Sequence, residues 1–345
     1  MFRIEGNMRL ERKKEHVESY LKTGYKGDNL FKDIYIENNS LPGFDFNEID
    51  TKVKFLGKVV NFPLMINAMT GGGEELSTIN EDLARIARDF KIPMAVGSQT
   101  IGLEYPESRE SFKIARDIIG EEGILIGNLS ATSTLEELEE AREMIDADAM
   151  QLHLNVCQEL FMEEGDRTFS NLEKNISYLV ENFKKPIIVK EVGFGISSKV
   201  ARKLLNAGVE YIDVAGSGGT NFIEIEDMRN FNKDYSDMYN WGIPTAKVLY
   251  DCKKEAPGAF YVSSGGVNTA DSIIKSFILG ADFTAVSGEV LRYLMHGGFN
   301  VARDYIESTI EKSKIMMMLI GVKKIDQLKN VDYVITGKLK ELITR

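Results

Sequence analysis

From Pro63 onward the chain repeats one pattern: a short apolar run that stops at Gly, Asn or Ser, followed by a longer stretch with helical spacing. The runs are PLMINAMTGG (63–72), PMAVGS (93–98), GILIGNLS (123–130), AMQLHLN (149–155), PIIVKEVG (186–193), YIDVAGSGG (211–219), AFYVSSGG (259–266) and DFTAVSG (282–288). Their starts lie 23 to 48 residues apart, enough for a helix and two loops, as a crossover between parallel strands requires. The intervals read as helices. In STLEELEEAREMI, Ser133 and Glu136 have capping-box spacing, and Leu135, Leu138, Ala141 and Ile145 fall in one apolar stripe. The stretch SSKVARKLLNAG closes on Gly208, a helix-ending position. Eight consecutive units of this kind predict an α/β fold, a (β/α)8 TIM barrel. A doubly wound open sheet is the runner-up. It would place one Gly-rich turn near the first strand, whereas here nearly every strand ends in Gly or a small polar residue.

The flanks fit one domain over 1–345: an N-terminal extension at 1–60, the barrel at 61–300, and C-terminal helices at 301–345 that include the apolar run IMMMLIGV (315–322). The extension carries a basic cluster, Arg12, Lys13, Lys14 and His16, and a short strand at KVKFLGKVV (52–60), suited to plugging the barrel bottom or capping a site. Overall the chain is acidic, 42 Lys+Arg against 53 Asp+Glu for a net charge of −11, which argues against a nucleic-acid binder. With 43% hydrophobic and 28% charged residues it has an ordinary globular composition. No apolar run approaches the roughly 18 residues that would span a bilayer, and the charged N-terminus lacks a secretory apolar core. Cys157 and Cys252 are the two cysteines, far apart in sequence, which fits a reducing cytoplasm and excludes a disulfide framework.

Barrel enzymes keep their chemistry where the strands end. In QLHLNVCQE, alternation puts Gln151, His153 and Asn155 on one face and Leu152, Leu154 and Val156 on the other. The apolar set should meet the helices. A polar row inside a barrel is costly unless it is paired or binds a ligand, so His153 and Asn155 are functional candidates, with a satisfied core network as the alternative. Gln158 and Glu159 follow where the strand turns outward. Glu159 offers a hard oxygen ligand for Mg²⁺, although a single Glu is ordinarily a solvated surface residue. Lys190 ends the fifth strand, where a buried ammonium needs an anion or an electron-rich partner; a salt bridge to Glu191 or a neighbouring carboxylate is the competing reading. The last three rims, GSGGTN (216–221), SSGG (263–266) and VSG (286–288), let backbone approach a ligand, and a barrel often holds phosphate after its seventh and eighth strands. AMTGG (68–72) could lie against a flat ring. No GxSxG, HExxH, P-loop or GxGxxG signature follows a strand, and three histidines are too few for a multi-histidine metal centre.

In chain order RKKEH, AMTGG, VGSQ, GNL, QLHLNVCQE, EGDRTF, VKEVGFG, GSGGTNF, WGIPT and SSGGV make this sequence, from about residue 10 to about 340, resemble type 2 isopentenyl-diphosphate isomerase, the FMN-dependent family. The resemblance implies interconversion of isopentenyl and dimethylallyl diphosphate with reduced FMN and Mg²⁺, NADPH serving as reductant, in a cytoplasmic homo-oligomer, tetramer or octamer, that binds neither nucleic acid nor membrane. It implies that Arg12, Lys13 and His16 grip the diphosphate, that Glu159 holds Mg²⁺, and that Gln158, His153 and Asn155 line the catalytic pocket. FMN would contact Ala68, Met69, Thr70, Ser98, Asn128, Lys190 and Thr220, with its phosphate near Gly265, Gly266, Ser287 and Gly288. Two departures stand out. Thr100 occupies a place where some members carry Arg, and Ser287 replaces an Ala, adding a hydroxyl near the phosphate. The chemistry explains a cofactor: shifting an unactivated double bond needs an acid and a base stronger than ordinary side chains at neutral pH. Two rivals remain. An FMN barrel oxidising 2-hydroxy acids would need a His base with a nearby Arg after strand six or seven, which GSGGTN lacks; a non-catalytic phosphate sensor would not need so reactive an interior row.

Overall fold

The computed structural model describes residues 2–24, 27–230 and 233–344, with side chains described from Glu11 onward except those of Glu74 and Glu75. Before the barrel come α1 (Phe2–Lys22), β1 (Ile34–Tyr35) and a hairpin of β2 (Val53–Phe55) and β3 (Lys58–Val60). Then β4 (Leu64–Ile66), β5 (Met94–Ala95), β6 (Leu125–Ser130), β7 (Ala149–Leu154), β8 (Ile187–Glu191), β9 (Tyr211–Asp213), β10 (Phe260–Ser263) and β11 (Phe283–Val286) pair in parallel in chain order, and β11 closes onto β4. The barrel is closed, so the open-sheet alternative is excluded. Around it lie α2 (Glu74–Phe90), α3 (Thr100–Glu104), α4 (Glu110–Ile119), α5 (Leu135–Ile145), α6 (Val156–Phe161), α7 (Leu172–Asn182), α8 (Ser198–Asn206), α9 (Phe222–Arg229), α10 (Thr245–Glu255) and α11 (Ala270–Ile278). The chain ends with α12 (Gly288–Ile320), β12 (Val334–Ile335) and α13 (Gly337–Ile343).

Local chemistry accounts for these boundaries, with a few shifts from the sequence expectation. The capping box of α5 is formed by Thr134 and Glu137, one residue later than Ser133 and Glu136. Gly208, at φ 87°, follows α8 as expected. The C-terminal region is not purely helical: α12 already starts at Gly288, bends at Gly298, and is followed by β12, which pairs antiparallel with β1.

Alternation along each barrel strand sorts the side chains. Outward positions such as Leu64, Met94, Leu125, Leu152, Val189 and Ile212 join the core between barrel and helices. Inward positions near the strand starts, Met65, Ala95, Ile126, Ala149, Ile188 and Phe283, form a second apolar cluster inside the barrel. KVKFLGKVV is a hairpin rather than one strand, and it seals the barrel bottom. Phe55 at its tip stacks on Phe283 with ring centroids 4.3 Å apart and on Phe260 at 5.4 Å. Lys58 pins the hairpin by donating to Asp148 at 2.7 Å and to the carbonyls of Glu121 and Gly123 at 2.6 and 2.8 Å.

Candidate functional site

Two residues further along the same inward rows, the character changes. Met65 is followed by Asn67, Ile126 by Asn128, Ala149 by Gln151 and then His153, Ile188 by Lys190, Tyr211 by Asp213 and Val262 by Ser264. Strand register sets some of these side by side: Asn128 pairs with Gln151, His153 with Lys190, and Lys190 with Asp213. Buried polar groups must find partners, and these do so in a continuous chain. Ser264 Oγ donates to Asp213 Oδ1 at 2.5 Å, and Asn67 Nδ2 donates to Asp213 Oδ2 at 2.7 Å. Gln151 Nε2 donates to Asn67 Oδ1 at 2.8 Å, and Asn128 Nδ2 to Gln151 Oε1 at 2.9 Å.

The chain ends on His153, whose Nδ1 lies 2.9 Å from Asn128 Oδ1. Because the Asn128 amide nitrogen is already donating, its oxygen accepts, so Nδ1 of His153 carries the proton and Nε2 is left as an acceptor. Burial, with the Lys190 and Lys13 charges behind it, pulls the imidazole down to about 3, so the ring is neutral at ordinary pH. Lys190 does not salt-bridge the Glu191 carboxylate. Its Nζ donates to the Glu191 backbone carbonyl at 2.7 Å, while Glu191 Oε2 accepts the amides of Val192 and Gly193, each at 2.7 Å. Burial lowers the Lys190 ammonium, opposed by Asp213 across the register.

Above this layer opens a cleft of about 540 Å³ that adjoins a lobe of about 300 Å³. The cleft is lined by Arg12, Lys13, His16, Ala68, Met69, Thr70, Ser98, Asn128, His153, Asn155, Gln158, Glu159, Lys190, Thr220, Ser287 and Gly288. Gly265 and Gly266 line the lobe, which shares Lys190, Thr220, Ser287 and Gly288 with the cleft. Every site residue expected from the sequence therefore borders one continuous space. Asn155 occupies a different local position from the one alternation implied. It is the N-cap residue of α6 rather than an inward strand residue, and its Nδ2 donates to Glu159 Oε1 at 2.6 Å. With the Asp166 amide donating to Glu159 Oε2 at 2.8 Å, the Glu159 carboxylate is held by both oxygens at the edge of the cleft. Gly265 and Gly266, at φ 91° and 73°, serve loop packing: a Cβ there would lie 2.0 Å from Gly216 O and 2.2 Å from Gly218 O, so the rims after β9 and β10 touch backbone to backbone. Thr100 turns its hydroxyl to Ser98 at 3.0 Å.

The basic segment lies on α1, which crosses the mouth. Lys13 Nζ donates to Gly71 O at 2.6 Å and Ser98 O at 2.8 Å. His16 Nε2 sits 2.8 Å from Glu226 Oε1, and Arg12 is 3.7 Å from Glu164. Glu226 was missed by sequence reasoning. It is almost fully buried; burial pushes its carboxyl up, but the His16 contact and Arg229 outweigh that and hold it below the usual range. Gln158 Nε2 approaches the same carboxylate at 3.5 Å. Asn67, Asp213 and Ser264 were also missed, although the inward alternation read in one strand would have found them in the others. Among the described residues, the buried side-chain polar atoms without a hydrogen-bond partner are Thr70 Oγ1 and Arg292 Nε, and both residues border this space. No group of three or more His, Cys, Asp or Glu suited to a metal is found among the described residues. Both thiols, Cys157 and Cys252, are pushed up to about 12 by burial.

Residues 125–334, which hold six of the eight barrel strands, match the FMN-dependent dehydrogenase family. In fold the chain is similar to a mandelate oxidase (TM-score 0.64, 15% identity, 89% of each chain covered) and to a Pediococcus acidilactici lactate oxidase (TM-score 0.69, 18% identity, 92% of this chain and 87% of the other). In sequence it is 37% identical to the isopentenyl-diphosphate delta-isomerase of Listeria innocua, over 96% of this chain and 93% of the relative. To the Bacillus pumilus enzyme of that name it is 39% identical, over 95% and 92%. This chain belongs to the isopentenyl-diphosphate delta-isomerase family.

Proposed function

We propose that this protein interconverts isopentenyl diphosphate and dimethylallyl diphosphate at the barrel mouth, with reduced FMN and Mg²⁺ bound there and NADPH as reductant. The observation that carries the reading is the joint placement of a neutral His153, the Lys190 ammonium, the oriented Glu159 carboxylate and the basic residues of α1 around one cleft. The residues fit a flavin. Thr70 Oγ1 is a buried hydroxyl with no partner, on the rim segment AMTGG that would face a ring. Asn128, Ser98 and Thr220 add polar contacts along the same wall, and the Gly265, Gly266, Ser287 and Gly288 rims lead to the start of α12, where the first amides have no intrahelical partner.

When bound, the reduced cofactor supplies an electron-rich ring beside the olefin and a nitrogen able to exchange a proton. The chain's own residues do the rest. Arg12, Lys13 and His16 grip the diphosphate by exchanging their present partners, Glu164, the Gly71 and Ser98 carbonyls, and Glu226, for phosphate oxygens. Glu159 would supply a carboxylate to Mg²⁺, a cation that ordinarily takes one or two carboxylates together with water and phosphate oxygens. His153 presents Nε2 to the cleft as a hydrogen-bond acceptor, and Gln158 and Asn155 complete the pocket wall. With α1 across the mouth, water is kept from the olefin. The fold-level likeness to hydroxy-acid oxidases does not extend to the GSGGTN rim, which presents no His and Arg pair.

The test is isomerisation in D₂O. With reduced FMN, Mg²⁺ and isopentenyl diphosphate, the recovered allylic diphosphate should carry deuterium. Absence of product and of deuterium, with flavin bound, would overturn the assignment.

A further inference from the structure

We propose that Arg292 is a ligand of the cofactor phosphate, an assignment that rests on the flavin reading above. A phosphate monoester carries between about −1.5 and −2 at neutral pH, whereas backbone amides and a helix N-terminus offer only partial positive charge. The smaller lobe, where Gly265, Gly266, Ser287 and Gly288 meet, also contains Glu224 and Glu289, so a dianion placed there needs a full cation. Among the described residues lining the lobe, the cationic side chains are Lys190 and Arg292. Lys190 is committed to the Glu191 carbonyl and faces Asp213.

Arg292 lies four residues after Gly288, one turn into α12 and on the same helix face. Its Nε is buried without a partner, the state of a donor built for a group that comes from outside the chain. Its aim is fixed. The guanidinium carbon sits 5.1 Å from the centroid of the Tyr20 ring and the guanidinium also interacts with the Tyr20 hydroxyl, while Nε stays without a partner. Tyr20 can reach this position because residue 288 is glycine: a Cβ there would lie 2.3 Å from the Tyr20 ring. Tyr20 belongs to α1, the helix that carries Arg12, Lys13 and His16. The cofactor phosphate and the substrate-gripping helix thus meet through one stacked pair.

The test compares FMN with riboflavin, which lacks the phosphate. Each is titrated into flavin-free protein and followed by quenching of flavin fluorescence. In Arg292→Met, FMN affinity should fall roughly 10- to 100-fold, the scale of a hydrogen bond to a charged group, while riboflavin affinity stays within about 2-fold of wild type. Arg292→Lys should recover part of the FMN loss. Retained riboflavin binding reports that the variant is folded. If the Met variant binds FMN as tightly as wild type, or loses FMN and riboflavin in parallel, the assignment is wrong while the flavin reading stands. If wild type takes up neither flavin, the flavin reading itself fails, and the Arg292 assignment with it.

Discussion

The two ends of this barrel are made by the same strands yet are opposite in character. At the bottom, Phe55 stacks on both Phe260 and Phe283 beneath Met65, Ala95 and Ile126. At the mouth, two residues further along, Asn67, Asn128, Gln151, His153, Lys190 and Asp213 hold one another by hydrogen bonds and register. Inward direction is set by alternation alone, so the difference lies wholly in which residue each strand carries at its end. Burying apolar rings at the bottom stabilises the fold; burying amides and ions at the mouth adds little stability, and its residues are free to be chosen for chemistry.

The largest effect that can separate the ends is Phe55→Ala. Losing a fully buried ring should cost about 3–5 kcal/mol, read as a shift of the urea midpoint, with flavin affinity of the folded protein unchanged. Loss of flavin binding under folded conditions would dissolve the distinction. At the mouth, Glu159→Gln should lower Mg²⁺-dependent turnover about 100-fold while the protein stays yellow, the scale of removing one charge-stabilising group. A colourless variant would mean that Glu159 serves the cofactor instead. A smaller effect concerns pH. The folded state keeps His153 neutral with its pKa drawn from 6.5 to about 3, so the unfolded chain binds the extra proton in that window. Stability should therefore fall as pH drops from 6.5 toward 3, by at most about 1.4 kcal/mol per unit, and His153→Gln should flatten that slope in denaturation series. The smallest is Thr70→Val. Removing an unpartnered buried hydroxyl should leave the flavin-free protein as stable or up to about 1 kcal/mol more stable, while weakening FMN binding about 5-fold by titration.

Much of this was legible in the chain. Eight apolar runs with helical intervals specify the closed barrel because every strand is buried on both faces and must read as apolar until it reaches the rim. The alternation of QLHLN correctly turned Gln151 and His153 inward, and it failed at Asn155 because the strand stops at Leu154 and the next residue caps a helix. The α1 helix left no strong periodic signal, since it rests on the rim through a few residues such as Val17 rather than through a full apolar stripe. Glu226 could not be read as part of the site because its partner His16 is 210 residues away, and a Glu within a helix looks solvated until the fold buries it. Arg292 is equally ordinary in sequence. Only the missing partner at its Nε and the Tyr20 ring above it single it out.

On the proposed function, one mouth holds the flavin ring and the diphosphate substrate against each other. This arrangement is tested most directly by titrating isopentenyl diphosphate with Mg²⁺ into the flavin-loaded, reduced protein while recording the flavin absorption and, in parallel, the heat of binding. The expected result is a flavin difference spectrum that saturates with the calorimetric isotherm and disappears when Mg²⁺ is withheld. Saturable heat with an unchanged flavin spectrum would place the two ligands apart and contradict it.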